Sequence, residues 1–517
     1  MEADVSKNRY GKLRLYYQLL TQMISVSKMK VASCVHLWMQ FITQSLPHQN
    51  SHILRTYMHY MHLCGLLCLP NFYRDPRKNS WHRVYSGAVL SLLGVYSVSI
   101  TASLVLFAVN DLGEFCERLY EVLCVYICLL DLFFMRWNMD KYMDIVDIFE
   151  TFERSHASNA ILTRFQRTLN RILRVFFVVI FAMIVAVNII PLVPKSQSSL
   201  DWVSRIYRYS HPQNTFDIPL YIPRADPSEP CLYACVYCAL MYVAFLFYVI
   251  IGMSLMYFPC CAYIVKCYTD VLADFASHIG GQHFTADGHL IYYTNLFNNT
   301  FIVSKRDSAM EEADMDPVKP NSVKSAEGSQ ESNCVPSSIQ INMENVDSVQ
   351  SVDPDCTDYF YVKQVILFQK KLISIREKID ALFAQNFRVR ILIGILLVIV
   401  SVLASLFPGS MPPVNRAQTI LEVLALLVGY MVMFHCAETL AACNDTLRTT
   451  AWCSQWYQCS NHTKRILGFF LRMNQKLKHI VIFKILLFGY TFMIGTFRLA
   501  WTLFHLMIHV KRLSSRI

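Results

Sequence analysis

Charged residues are scarce in this sequence. Only 16% of its 517 residues are Asp, Glu, Lys or Arg, whereas typical soluble domains contain about 25%. Hydrophobic residues make up 54%, and the mean hydropathy is +0.33. So few charges cannot cover several soluble domains with a polar surface. The net charge of +10 includes no basic cluster, which argues against a nucleic-acid partner. The cations flank long apolar runs instead, which is typical of a protein that crosses the membrane several times.

Motifs for catalysis or metal binding are also missing. No phosphate loop, nucleophile elbow or metal-spaced His/Cys cluster occurs, so we expect no enzymatic activity, cofactor or metal. His435, His505 and His509 lie on apolar segments and are interpreted as packing or interface residues. The eighteen cysteines are scattered and favour buried packing roles. A single outer disulfide, between Cys116 and Cys231, is left open.

Seven segments are long and apolar enough to cross a membrane as helices of about 20 residues. They are residues 84–110, 115–135, 175–194, 231–265, 391–415, 417–437 and 480–510. The second, sixth and seventh spans contain charged residues, and the other four contain none. A further apolar stretch, 31–46, is too short and polar to span, and the residues before it are too many for a signal-peptide n-region.

The distribution of Lys and Arg predicts the orientation. Cations are concentrated before span one, after span two and after span six, and they are rare in the loops after spans one and five. By the positive-inside rule, the fold is an all-α polytopic membrane protein with seven transmembrane helices, a cytoplasmic N-terminus and an extracellular C-terminus. Two outer segments, 195–230 and the C-terminal tail, carry cations against this trend. The orientation is opposite to that of G-protein-coupled receptors, and their acidic-Arg-Tyr and Asn-Pro-x-x-Tyr motifs are absent.

Six regions follow from these assignments. Residues 1–80 form a cytoplasmic N-terminal segment, and residues 304–357 form a Ser-rich acidic insertion with too few large apolar residues to fold. Between these two regions, residues 81–303 hold spans one to four and a cytoplasmic extension. After the insertion, residues 358–442 hold a cytoplasmic helix and spans five and six, residues 443–479 form a cytoplasmic segment, and residues 480–517 hold span seven and the tail. The segments that flank the insertion are amphipathic and should extend spans four and five into the cytoplasm as helices. The sequons at Asn298, Asn444 and Asn461 would then be cytoplasmic and unglycosylated.

The polar, aromatic stretch 452–476 between spans six and seven carries the most specific signal. A Cys and a Glu end span six, a Trp-Tyr pair follows, and an Arg-x-x-Gln-Lys helix and a Lys precede an aromatic-rich final helix. These residues are Cys436, Glu438, Trp456, Tyr457, Arg472, Gln475, Lys476 and Lys484. Their order resembles the C-terminal signature of the insect odorant receptor family, and residues 61–75 resemble that family's approach to span one.

The resemblance implies a tetrameric ion channel in which this stretch is the cytoplasmic assembly anchor. The anchor residues would be Glu438, Trp456, Tyr457, Arg472, Gln475 and Lys476. Large rigid aromatic side chains suit such an interface, although Trp456 and Tyr457 would also suit a belt at the lipid headgroups. The last helix departs from the ending of the Orco co-receptor. The chain therefore resembles a ligand-tuned subunit, and the Orco co-receptor is its expected partner.

The resemblance also implies an odorant pocket in the outer half of the membrane, between spans two, three, four and six. The residues expected there are Tyr120, Leu123, Tyr126, Phe181, Ile184, Asn188, Tyr237, Met241, Leu427 and Tyr430. Aromatic and Met side chains would make a mainly apolar cavity with few directional bonds. Ordinary helix packing is the alternative for each. Asn188 and Tyr430 stand out because a buried amide or phenol needs a partner.

The final helix is the expected pore lining of the family. Its candidate pore residues are Thr496, Ala500, Leu503, Phe504 and Met507, which would form a hydrophobic gate that closes by dewetting. A register error of one residue would replace some of them by Trp501 and Thr502. Arg498 either faces this pore or extends towards the headgroups, and we favour the second because the family conducts cations.

The resemblance thus implies an odorant-gated, non-selective cation channel that is formed with Orco and detects small, volatile, mainly apolar molecules. Its expected location is the plasma membrane, in the dendrites of olfactory sensory neurons. A gustatory receptor of the related family is the main alternative, although Leu503-Phe504 lacks the Gln that usually ends its final helix. A transporter would predict inverted repeats or paired broken helices, and the sequence contains neither.

Overall fold

The computed structural model describes most of the chain outside its N-terminal segment and its acidic insertion. The described residues are 53–69, 72–73, 75–189, 197–214, 216, 218–223, 225–281, 290–304, 354–406, 413–475, 479–482 and 486–514. The apolar stretch 31–46 and residues 305–353 of the predicted insertion lie outside them. The helix that follows the insertion begins at Pro354, inside the predicted boundary of the insertion at residue 357.

The described chain is mainly helical, as predicted. Its helices are α1 (Ile53–Leu63), α2 (Pro76–Leu106), α3 (Leu112–Trp137), α4 (Met139–Ser155), α5 (Ala160–Ile189), α6 (Gln197–Tyr207), α7 (Pro230–Ser277), α8 (Pro354–Leu406), α9 (Pro413–Trp452), α10 (Asn461–Met473) and α11 (Tyr490–Ser514). The seven predicted spans fall in order on helices α2, α3, α5, α7, α8, α9 and α11, although the first, third, fifth and seventh spans extend beyond the bounds of their helices. The fold is therefore that of an all-α polytopic membrane protein.

Two of these helices meet a strict criterion of length, hydropathy and low charge for a membrane span. Among the described residues they are α2 together with the short 3-10 turn that follows it (Pro76–Asn110) and α7 (Pro230–Ser277). Asp75 caps the first of them by accepting a hydrogen bond from the Arg77 backbone N–H at 2.9 Å, and Pro76 occupies the first helical position, where its missing N–H costs nothing.

The last span is shorter than the sequence predicted. Residues 480–482 and 486–488 form two short antiparallel strands, β3 (Ile480–Ile482) and β4 (Leu486–Phe488), and α11 begins only at Tyr490. The prediction of one span over 480–510 was wrong at its start. Short β-branched and apolar runs are compatible with either a strand or a buried helix, so hydrophobicity alone could not separate the two segments.

The predicted helical extensions of spans four and five are confirmed, because α7 continues to Ser277 and α8 begins at Pro354, and their location in the cytoplasm stays a prediction. They pack with α4 and with a hairpin that the sequence analysis did not predict, β1 (Leu290–Asn295) paired with β2 (Thr300–Ser304). The Tyr268 hydroxyl donates to the Phe149 carbonyl at 3.0 Å, and Phe152 packs against Tyr268 and Phe368. This aromatic core fixes the cytoplasmic ends of the spans relative to one another.

The outer disulfide between Cys116 and Cys231, which the sequence left open, is not formed. Cys116 and Cys231 are both free thiols, the first buried and the second exposed. Cys116 packs in an apolar cluster with Tyr120, Leu397 and Val400 between α3 and α8. Both cysteines lie towards the same predicted side of the membrane, but the Cys116 side chain is buried between two helices and the Cys231 side chain is exposed. The two sulfurs therefore do not meet.

Candidate ligand-binding and gating site

A buried ion pair crosses the middle of the helix bundle. The Arg390 guanidinium on α8 donates hydrogen bonds to both carboxylate oxygens of Asp131 on α3, from Nε to Oδ1 at 2.7 Å and from Nη2 to Oδ2. Its Nη1 also donates to the Ser254 carbonyl on α7 at 3.2 Å. Asp131 and Arg390 are only 4% and 9% exposed. One guanidinium therefore connects three membrane helices.

Tyr430 joins a fourth helix to this network. Its hydroxyl, on α9, donates to the Arg390 backbone carbonyl at 3.2 Å. The approach requires glycine at position 394 on α8, because a Cβ there would lie 2.3 Å from the Tyr430 hydroxyl oxygen. A buried phenol at Tyr430 was predicted to need a hydrogen-bond partner, and that partner is the backbone carbonyl of Arg390, which also binds Asp131.

A small apolar cavity adjoins Tyr430 where α8, α9 and α11 meet. Its volume is about 50 Å³, and its lining residues are Ile391, Gly394, Ile395, Leu427, Tyr430, Met431, Phe434, Phe492, Met493, Thr496 and Phe497. For comparison, a dry cavity of about 150 Å³ accommodates benzene. The cavity in this conformation is too small for most odorants. It brings Leu427 and Tyr430, which were predicted to contact ligand, against the predicted pore residue Thr496.

The predicted ligand residues on α3 face two different neighbours. Tyr120 is 4% exposed and packs with Leu123 and Cys116 against α8, a helix that the predicted pocket did not include. Tyr126 is 39% exposed, and its hydroxyl lies 3.2 Å from the Thr101 hydroxyl on α2. These three predicted residues therefore do not line one common cavity.

The other predicted ligand residues lie on α5 and α7. The Tyr237 ring stacks on Tyr233 at 5.8 Å between centroids, and Met241 is 39% exposed. The side chains of Phe181, Ile184 and Asn188 lie outside the described residues. Within the described part of the chain, the predicted set thus divides among the outer end of α7, the α3–α8 contact, the α2–α3 contact of Tyr126 and the cavity beside Thr496.

An unpredicted charged cluster lies at the outer end of α3. The Arg118 guanidinium is buried among three carboxylates, with Nε 2.7 Å from Glu114 and Nη2 3.5 Å from Glu117, and with Glu121 bound to its Nη1. Tyr207 of α6 donates to Glu114, and burial raises the pKa of Tyr207. In the sequence these charges only interrupt the predicted second span. Their spacing of three and four residues was the available signal that they share one helix face.

The predicted anchor residue Glu438 lies beside the start of the pore helix. Its Oε2 would be 2.6 Å from a Cβ at Gly489, the residue before α11. One turn earlier on α9, His435 Nδ1 lies 2.6 Å from the Tyr490 hydroxyl. These contacts join the cytoplasmic half of α9 to the first residues of α11.

Residues 452–457 of the anchor, here called the aromatic hinge, contact neighbouring residues on one side and are exposed to solvent on the other. The Trp456 indole is half-buried and donates to the Trp452 carbonyl at 3.0 Å, whereas Tyr457 is 61% exposed. Gly280, just past the end of α7, has φ +83°, and a Cβ there would lie 2.3 Å from the Gln455 carbonyl oxygen. The backbone of the hinge therefore sits directly on the end of α7.

Helix α10 packs against α8 through side chains that were not among the predicted anchor residues. The Gln369 amide donates to Asn474 Oδ1 at 2.6 Å, and Leu467 and Phe470 are buried. Arg472 and Gln475 point outward and are exposed, and Lys476 lies outside the described residues. The predicted anchor residues Arg472 and Gln475 therefore lie on an exposed face of α10, while its buried residues pack the helix against α8.

The pore residues are described only in part. Thr496 donates its hydroxyl to the Phe492 carbonyl at 3.0 Å, and Arg498 is exposed in the single chain. The side chains of Ala500, Leu503, Phe504 and Met507 lie outside the described residues. No group of His, Cys, Asp or Glu side chains in the described chain could hold a metal ion.

Comparisons with known proteins agree with this architecture. A family model described as seven-transmembrane chemosensory receptor matches residues 54–218. A search of curated proteins finds no match. The insect olfactory receptor OR5 of Machilis hrabei, solved in complex with eugenol, aligns with a TM-score of 0.59 and 10% identity over 88% of this chain and 98% of that chain. A second structure of the same receptor aligns with a TM-score of 0.56, the same identity and the same coverage.

These matches confirm the predicted resemblance to the insect odorant receptor family. The structural match establishes the fold over nearly the whole of the solved receptor, and the family model independently matches a chemosensory receptor over residues 54–218. Both comparisons concern receptors, which agrees with the prediction that the chain is not an enzyme.

Proposed function

We propose that this chain is the ligand-tuned subunit of an odorant-gated, non-selective cation channel that it forms with the Orco co-receptor. Its ligands would be small, volatile, mainly apolar molecules, as the apolar composition of the predicted pocket favours. Its site of action would be the plasma membrane of olfactory sensory neuron dendrites. Eugenol, the ligand in the solved Machilis hrabei receptor, is a molecule of the class that we expect.

The observation that carries the proposal is the cavity beside Tyr430. Leu427 and Tyr430 on α9 share its wall with Thr496 on α11, so a helix of the predicted pocket touches the predicted pore helix directly. A ligand that moved α9 would change the packing of α11. Ligand can shift the closed-to-open equilibrium only by its difference in affinity for the two states.

The requirement for Orco rests on Arg498 and on the hinge. Four copies of this chain would place four Arg residues near the pore if that face of α11 points inward. Since a desolvated cation in a membrane costs several kcal/mol, such a ring would oppose cation flow. Replacing some copies by the co-receptor would remove most of this ring, and the exposed face of the hinge and α10 provides a surface for the partner.

The test is whole-cell current in response to an odorant panel, with and without Orco, under blocked G-protein signalling. We expect currents that persist under the block and require Orco. Currents that disappear with the block, or that are equal without Orco, would contradict the proposal. Currents from this chain alone in response to tastants would instead support the gustatory alternative.

The role of the hinge is tested by replacing Trp456 and Tyr457 together with Ala. Co-purification with Orco should fall, because two large aromatic side chains leave the proposed interface. Trp81→Ala is the matched control, since Trp81 is also exposed, at 74%, but lies on α2 far along the chain from the hinge. Unchanged co-purification in the double variant would favour the headgroup-belt alternative.

A further inference from the structure

A second, larger depression lies between α2 and α3, near the ends of these helices that the charge pattern assigns to the cytoplasm. Its volume is about 320 Å³. Its lining residues are Leu90, Leu129, Leu132, Phe133, Arg136 and Trp137. We call it the α2–α3 groove. Five of its six lining residues are apolar or aromatic, and the sixth, Arg136, is a cation.

Arg136 has hydrogen-bonding capacity left over in this groove. Its Nη1 donates to the Leu66 carbonyl at 2.9 Å and to the Ser86 hydroxyl at 3.0 Å, which uses both hydrogens of that nitrogen. Its Nη2 approaches only the Cys68 sulfur, at 3.9 Å, a weak acceptor. Since a guanidinium has five N–H donors, Nε and one hydrogen of Nη2 have no protein acceptor among the described residues. The neutral partners fix the side chain in place and leave donors for another molecule.

The charge of Arg136 is not neutralised by the described part of the protein. The nearest acidic residues along the chain are Asp131 and Asp140. Asp131 is bound by Arg390, and Asp140 forms no ion pair with Arg136. Arg83 adds a second cation, because it is exposed and lies two helical turns before Leu90 on the same side of α2. The mouth of the groove therefore favours an anion.

The rest of the groove favours a hydrocarbon chain. Leu129 lies seven residues before Arg136, so it is deeper in the membrane by about 10 Å at the helical rise per residue. Phe133 and Trp137 are 56% and 76% exposed at its side, and Trp is a residue that suits the headgroup level. A cation at the boundary above an apolar wall matches an amphiphile with an anionic head.

We propose that the α2–α3 groove binds one anionic phospholipid of the cytoplasmic leaflet. Its phosphate accepts hydrogen bonds from the free donors of Arg136, and an acyl chain lies along Leu90, Leu129 and Leu132. The lipid would hold α2 against α3, since Arg136 already bonds to the Ser86 hydroxyl on α2. The proposal depends on the orientation of the chain but not on its odorant or on Orco.

The test is retention of lipid by the purified full-length chain in detergent, measured by native mass spectrometry after exposure to mixed micelles of phosphatidylserine or phosphatidylcholine. Wild-type protein should retain phosphatidylserine in preference to phosphatidylcholine. Arg136→Gln should lower its retention roughly ten-fold, the effect expected for the loss of a charge-assisted hydrogen bond. Arg154→Gln is the matched control, because it removes the same charge from an exposed cytoplasmic position outside the groove, where Arg154 pairs with Glu150.

A second variant separates lipid binding from folding. Leu90→Trp fills the wall of the groove and leaves every charge in place, so it should also reduce retention while the protein stays monodisperse on size exclusion. Equal retention of the two lipids by the wild type would overturn the proposal, as would wild-type retention in both Arg136→Gln and Leu90→Trp. An equal loss in Arg154→Gln would overturn it too, because the binding would then follow total charge rather than this groove.

Discussion

Asp131 and Arg390 illustrate how much a single buried charge can matter in this fold. Asp131→Asn would leave the Arg390 charge uncompensated among α3, α7 and α8. We expect a loss of about 3–5 kcal/mol of stability, the usual cost of breaking a buried pair from one side. The measurement is the thermal midpoint of the purified protein in detergent.

Two controls accompany this prediction. Asp144→Asn removes the exposed partner of Lys378, at 2.6 Å, and should cost at most about 1 kcal/mol. Asp131→Asn combined with Arg390→Gln should recover part of the loss, since no unpaired charge remains. Equal midpoints for Asp131→Asn and Asp144→Asn would show that the buried pair does not stabilise the bundle.

Glu153 on α4 should give the cytoplasmic core a dependence on pH. Burial is the main cause that raises its pKa from 4.5 to about 7, with Glu150 adding to the rise and a hydrogen bond from Gln166 opposing it. Because the folded-state pKa is the higher one, the folded state takes up a proton more readily than the unfolded chain. The contribution to stability is therefore complete below about pH 4.5 and is lost as pH rises through about 7.

The expected result is a thermal midpoint that falls between about pH 5 and pH 8 in the wild type and falls less in Glu153→Gln. Asp144→Asn removes an exposed carboxylate on the same helix and should keep the wild-type slope. Parallel slopes in the wild type and Glu153→Gln would mean that Glu153 is not the titrating group.

At the scale of elements, the contact between the end of α7 and the aromatic hinge depends on one glycine. Gly280→Ala would place a methyl group within contact of the Gln455 carbonyl at a φ of +83°, a conformation that L side chains rarely adopt. The hinge backbone would have to move. We expect a lower thermal midpoint and reduced co-purification with Orco.

The neighbouring glycine is a matched control for this change. A Cβ at Gly281 would lie 3.4 Å from the His278 carbonyl oxygen, and Gly281 is not in the left-handed region. Gly281→Ala should therefore be mild. If both variants behaved as the wild type, the position of the hinge against α7 would not matter for assembly.

At the scale of the whole molecule, the asymmetry of Lys and Arg makes a prediction about topology. An epitope tag at residue 1 should be inaccessible to antibody in intact cells, and a tag after Ile517 should be accessible. Permeabilised cells provide the control for tag integrity. Surface staining of the N-terminal tag without permeabilisation would reverse the orientation and also place the α2–α3 groove in the wrong leaflet.

The helices of this molecule were largely predictable because membrane helices need long apolar runs, and such runs are local in sequence. The extensions of α7 and α8 into the cytoplasm followed from helical periodicity in the same way. The paired strands were not predictable, since runs of three to six mainly apolar residues fit a strand or a helix equally well until tertiary pairing chooses between them. The same ambiguity moved the start of the last span from 480 to Tyr490.

The sequence by itself determined the class of the molecule: scarce charge, seven apolar segments and a C-terminal signature were enough to identify an insect chemoreceptor fold. Only the tertiary structure decided which charges meet. Asp131 and Arg390 are 259 residues apart, and no local pattern joins them. Helix packing brings them together because a charge buried in a membrane bundle requires a partner, and it likewise places Leu427 and Tyr430 beside Thr496 of the pore helix.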